Sequence, residues 1–117
     1  MMSDKLRHAP DLLNAAAATI TSRAKQRDDE QQGERSMGAT VGAFNALYGT
    51  NLSETQGWMF MVILKAARAR QGDLNMDDYV DGSAYFALAG ESARMELIAS
   101  SSSPSTMADP IFKPQSV

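Results

Sequence analysis

The chain has 117 residues, 44% hydrophobic and 21% charged, which is the composition of one globular domain able to bury roughly two-thirds of its unfolded surface. A net charge of −3 without any Lys/Arg-rich run argues against general nucleic-acid binding, which needs a basic face. The absence of cysteine excludes disulfides, thiolate catalysis and Cys-ligated metal sites, and a single histidine, His8, in a polar N-terminal arm excludes a His-rich metal site.

The arm, residues 1–10, carries no apolar signal-peptide core, and the longest apolar run, Trp58 to Leu64, is too short to span a bilayer. A cytoplasmic protein without membrane contact is therefore expected. Pro10 and Asp11 suit the first turn of a helix, and Leu12, Leu13, Ala16, Ala17, Ile20 and Ala24 continue it to about Lys25. Gln26 to Gly33 is polar and reads as a loop. A second helix is expected from about Glu34 to Tyr48, with Met37, Val41 and Phe44 among its apolar positions. Gly38 and Gly42 weaken it by roughly 1 kcal/mol each relative to Ala, and their spacing permits close approach by another helix.

Gly49-Thr50-Asn51 stops that helix, and Ser53-Glu54-Thr55-Gln56 fits a capping box that starts the third. The third helix, Glu54 to about Arg70, is apolar on all sides between Trp58 and Leu64, which predicts a central place in the bundle. It turns basic at Lys65, Arg68 and Arg70. After Gln71-Gly72-Asp73, a fourth helix is expected from Asn75 or Met76 to about Ala99. The segment 100–117, which opens with four consecutive serines and holds three of the four prolines, reads as a disordered tail. The expectation is an all-α, four-helix bundle-like domain over residues 11–99.

The residues able to carry chemistry cluster at the start of the fourth helix. Asp77 and Asp78 are explained by the favourable interaction of carboxylates with a helix N-terminus, whereas Asp81 lies beyond the first turn, where that benefit fades. The spacings i,i+4 and i,i+3 place the three carboxylates on adjacent sectors of one face. They repel one another unless neutralised, either by Mg²⁺ (or Mn²⁺) or by an ion pair between Asp81 and Lys65 or Arg68. A helical hairpin through the short connection 71–76 brings Lys65 and Arg68 beside the aspartates, where they would also suit a polyphosphate. Glu34 could face the cluster from a neighbouring helix, Glu30 sits nearby in sequence, and Tyr85 lies one turn beyond Asp81.

Gly33-Glu34-Arg35-Ser36-Met37, Ala43-Phe44-Asn45-Ala46-Leu47, Gly57-Trp58-x-Phe60 with Leu64-Lys65-x-x-Arg68, and Asp77-Asp78-Tyr79-Val80-Asp81-x-x-x-Tyr85 together resemble a family of small helical proteins of tailed phages and prophages. The resemblance covers about Arg27 to Glu91. That family is in turn similar to the all-α nucleotide pyrophosphohydrolases of the MazG and dUTPase type, which hold Mg²⁺ with a Glu-x-x-Glu pair and a Glu-x-x-Asp pair. Here Asp78-x-x-Asp81 matches the second pair with Asp for Glu, while Glu30 and Glu34 are four apart with Gly33 between.

The resemblance implies a phage-encoded, oligomeric, Mg²⁺-dependent nucleoside triphosphate pyrophosphohydrolase of the host cytoplasm, or a degenerate relative that still binds nucleotide. Glu34, Asp77, Asp78 and Asp81 would hold the metal, Glu34 and Asp81 would serve catalysis, and Lys65 and Arg68 would bind phosphate. The alternative is a non-enzymatic phage accessory protein that binds and modulates a host protein.

Overall fold

The computed structural model describes residues 6–27 and 36–101, which form four helices and, among themselves, no strand. They are α1 (Ala9–Arg27), α2 (Ser36–Tyr48), α3 (Glu54–Ala69) and α4 (Met76–Ser101). The all-α, four-helix expectation holds. The 26–33 loop beyond Arg27, with Glu30, and Glu34 and the tail from Ser102 onward lie outside the described residues.

Local chemistry sets the helix ends. α1 begins earlier than expected. The His8 backbone N–H donates to Asp11 Oδ2 (3.0 Å), while the His8 carbonyl accepts from the Asp11 N–H (2.8 Å). Asp11 thus closes the first turn by reaching back to the residue before it, and Ala9 and Pro10 are already helical. Nor is the stretch before the helix simply a solvated arm, because Leu6 packs against Ala16, Val80 and Ala84.

Between α2 and α3, Gly49 takes a left-handed φ of +68°, and Asn45 closes the turn from both ends of its side chain. Its Nδ2 donates to the Leu52 carbonyl and its Oδ1 accepts from the Leu52 N–H. The capping box at α3 is formed as the sequence predicts: the Gln56 N–H donates to Ser53 Oγ (3.1 Å), and the Ser53 N–H donates to Gln56 Oε1 (2.9 Å). Ser53→Ala removes one of these bonds and is expected to lower stability by about 1 kcal/mol, read as a fall of a few degrees in the thermal midpoint followed by circular dichroism. At α4 the cap is Asn75, whose Oδ1 accepts from the Asp77 N–H (3.0 Å).

The centre of the fold is α4 and not α3. α4 packs along α3 on one side and against α1 on the other, whereas α3 touches α2 and α4 and leaves Phe60, Ile63 and Leu64 exposed. An apolar run around a helix therefore did not signal burial on every side. Two small cores result. Met37, Val41, Trp58, Leu88 and Ala89 join α2, α3 and α4, while Ala16, Val80 and Ala84 join α1 and α4, with Ile20 packed against both. A polar stitch ties the start of α3 to α4: the Thr55 hydroxyl bonds to the buried Ser92 Oγ (2.8 Å), and the Thr55 N–H donates to Glu96 (3.4 Å).

The close helix approach is not at Gly38 or Gly42. A Cβ at Gly42 would meet nothing within 4 Å, and one at Gly38 would make only ordinary contact with Glu54. The tight crossing is at Gly57 of α3, which lies against Met37 and Val41 of α2. No described helix is long and apolar enough to cross a membrane.

Candidate functional site

The Gln71–Asn75 connection folds α3 and α4 into a hairpin, so the basic end of one lies beside the acidic start of the other. Lys65 Nζ stands 3.2 Å from Asp81 Oδ2, and Arg68 Nε stands 3.6 Å from Asp78 Oδ1. Of the open alternatives for Asp81, the structure makes the ion pair with Lys65. The two side chains are only 16% and 21% exposed, so the pair lies beneath the surface rather than on it. A third helix contributes as well: Arg23 of α1 approaches Asp81 Oδ1 at 3.9 Å.

Asp78 departs from its sequence reading. As a first-turn carboxylate it needed no partner, yet its side chain is 7% exposed and pairs with Arg68. The reason is the α4 face. Asp78 shares the stripe of Tyr85, Ala89 and Ser92 at spacings of seven, four and three, and that stripe faces α3. Burial of an ionised carboxylate demands a cation, and Arg68 supplies it. Asp77, by contrast, is exposed, in keeping with a helix-end role.

Arg23 is the member of this charged layer that sequence reasoning missed. The signal was present: Ala16, Ile20 and Arg23 follow one another at spacings of four and three, so Arg23 extends the stripe of α1 that faces α4.

Beside this charged layer lies a cavity of about 390 Å³ reached by all four helices. Arg23 and Ile20 line it from α1, Thr40 from α2, Trp58 from α3 and Tyr85 from α4. The Trp58 and Tyr85 rings are stacked, with centroids 5.8 Å apart and planes inclined by 26°. Its lining combines aromatic and apolar walls with the Arg23 cation, a combination suited to an anion that carries an aromatic ring.

Among the described residues no three His, Asp or Glu side chains gather into one group. Asp78 and Asp81 each face a basic side chain, Arg68 and Lys65 respectively. Of the expected metal set, Asp77 is apart at the surface and Glu34 lies outside the described residues.

Fold and site together define a small all-α protein whose third and fourth helices form a charge-paired hairpin beside a four-helix cavity. The chain belongs to the family described as a domain of unknown function, DUF6378, whose model matches residues 11–93. The match begins in α1 and so takes in Arg23, which the narrower resemblance from Arg27 left out. No curated protein and no solved structure matches the chain.

Proposed function

We propose that this chain binds a nucleoside phosphate in the four-helix cavity, as a phage-encoded relative of the MazG-type pyrophosphohydrolases acting in the host cytoplasm. The observation that carries the reading is the juxtaposition of Arg23 with the stacked Trp58–Tyr85 pair in one cavity. The apolar walls suit a base, and Arg23, already drawn toward Asp81, is placed to exchange that partner for a phosphate. Binding is put ahead of hydrolysis because Asp81 faces Lys65 and Asp78 faces Arg68, so that each of the two carboxylates has a cationic partner.

The test is a panel of ribo- and deoxynucleoside triphosphates, with and without Mg²⁺ or Mn²⁺, read by thermal midpoint and by pyrophosphate release. At a nucleotide concentration of about 100 times Kd, one ligand should stabilise the fold by about 2.7 kcal/mol, and Arg23→Ala should weaken binding at least tenfold. Pyrophosphate release that disappears in Asp81→Asn would restore the enzymatic reading. If no nucleotide raises the midpoint at millimolar concentration, the proposal fails. The accessory-protein alternative is favoured by a separate observation, the exposed Phe44, Leu47 and Tyr48 on α2, where the Phe44 and Tyr48 rings lie 4.8 Å apart.

A further inference from the structure

The described residues bury little and expose much. Three of the eight buried apolar residues are alanines, and no large side chain is buried to below 2% exposure, while Phe60, Ile63, Tyr79, Phe86 and Leu97 stand in solvent.

Three exposed apolar side chains of α4, Tyr79, Phe86 and Leu97, share one stripe with the small residues Ser83, Gly90 and Ala93. Tyr79, Ser83, Phe86, Gly90, Ala93 and Leu97 follow one another at spacings of four, three, four, three and four, the pattern of a helix seam that packs on another helix. None of the six is buried, and no charged residue interrupts the stripe. It points away from the faces that α4 gives to α1, through Val80 and Ala84, and to α3, through Leu88 and Ala89. Beside it a groove of about 460 Å³ opens between α3 and α4, lined by Met59, Val62, Tyr79 and Phe86 together with Lys65 and Asp78.

We infer that a second copy of this chain covers this face, with the two α4 helices antiparallel about a two-fold axis near Leu88. The stripe is self-complementary only in that register. Residues equidistant from position 88 then oppose each other, so Phe86 meets Gly90 of the other copy, Ser83 meets Ala93, and Tyr79 meets Leu97. Each bulky Phe86 is received where the facing helix has no side chain, and the isologous contact closes as a dimer. Charge agrees with direction. Arg94 borders the stripe, and an antiparallel pair separates the two copies of Arg94 by about 18 Å along the axis, whereas a parallel pair sets them side by side.

Area agrees as well. At 44% and 60% exposure, Tyr79 and Phe86 alone leave on the order of 200 Å² uncovered, a quarter of the ~800 Å² each partner gives to a standard interface, before Leu97, Ile63 and the groove are added. A second copy, rather than an unrelated partner, is chosen because the stripe is symmetric about position 88 and so fits itself.

Sedimentation equilibrium of the full chain should show a dimer at micromolar concentration, and Phe86→Glu should raise the dimer dissociation constant at least about 30-fold, as loss of a central aromatic anchor does. The chain lacks cysteine, so single spin labels report the geometry in an otherwise native background. Between copies, labels at Arg94→Cys should lie near 20 Å apart and labels at Ser101→Cys near 40 Å, following the 1.5 Å rise per residue from the axis. These labels keep the test decisive if Phe86→Glu does not fold. A monomer at about 100 µM, far above the concentration a structural dimer needs, overturns the inference. So does an unweakened Phe86→Glu dimer, or equal label distances at the two positions.

Discussion

Gly57→Leu should detach α2 from the rest of the fold. A Cβ at position 57 would stand 2.5 Å from Met37 Sδ and 2.7 Å from Val41 Cγ1, both inside the distance that real Cβ atoms keep. Met37 is flexible and can swing aside. Val41 is β-branched and held in a helix rotamer, so its methyl can retreat only if α2 moves. Gly57 is buried, and the side chains it meets belong to the larger core with Trp58 and Leu88. Replacing Gly in a helix interior gains up to about 1 kcal/mol of backbone propensity, but overpacking a filled contact costs about 1–3 kcal/mol, and a leucine adds four heavy atoms that the space cannot hold. The expected net loss is about 2–3 kcal/mol by urea denaturation. The control runs the other way: a Cβ at Gly42 would meet nothing within 4 Å, so Gly42→Ala should stabilise by about 0.5–1 kcal/mol. If Gly57→Leu matched the wild type, the α2–α3 crossing described above would be wrong.

Asp81→Ala should cost about 2 kcal/mol, because it strands Lys65 beneath the surface without its anion. Arg23 also loses a partner, but at 3.9 Å and with more exposure it can turn to water. The informative measurement is the cycle. Lys65→Met alone should cost a similar amount by stranding Asp81, whereas Lys65→Met combined with Asp81→Leu should return to within about 1 kcal/mol of the wild type, since an apolar pair fills the space without a desolvation cost. A double variant no better than the sum of the singles would show that the two side chains do not act as a pair. This cycle also bears on function. A carboxylate kept to hold Lys65 gives the same stability effects with or without Mg²⁺, whereas a metal ligand makes the cost of Asp81→Ala larger when Mg²⁺ is present.

Much of the fold was legible because helix signals are local. Ser53 and Gln56 announce the start of α3, Gly49 ends α2, and the hairpin connection after Arg70 dictates that the bases of α3 return beside the aspartates of α4. The hairpin and the cost of leaving Asp81 alone pointed to Lys65, Arg68 or a cation as its partner, and the structure pairs it with Lys65. What was not legible depended on which face of each helix meets which neighbour. Asp78 looked explained by its place in the first turn, and nothing local says that its sector of α4 faces α3. Gly38 and Gly42 looked like contact glycines because spacing reveals a shared face but not what lies opposite, whereas Gly57, without a glycine partner, carried no such signal.

The sequence by itself determined the four helices, the Gly49 stop and the Ser53 capping box between the second and third, the absence of thiol chemistry, and the return of Lys65 and Arg68 beside the aspartates, because each of these follows from neighbours within a few residues or from one short connection. Only the tertiary structure decided that α4 rather than α3 is the hub, that Arg23 reaches the acidic layer from α1, that Trp58 and Tyr85 wall a cavity, and that the Tyr79–Leu97 stripe is left uncovered. Those are properties of packing angle and helix rotation. They arise from many weak contacts spread along the chain, and no single stretch of sequence records them.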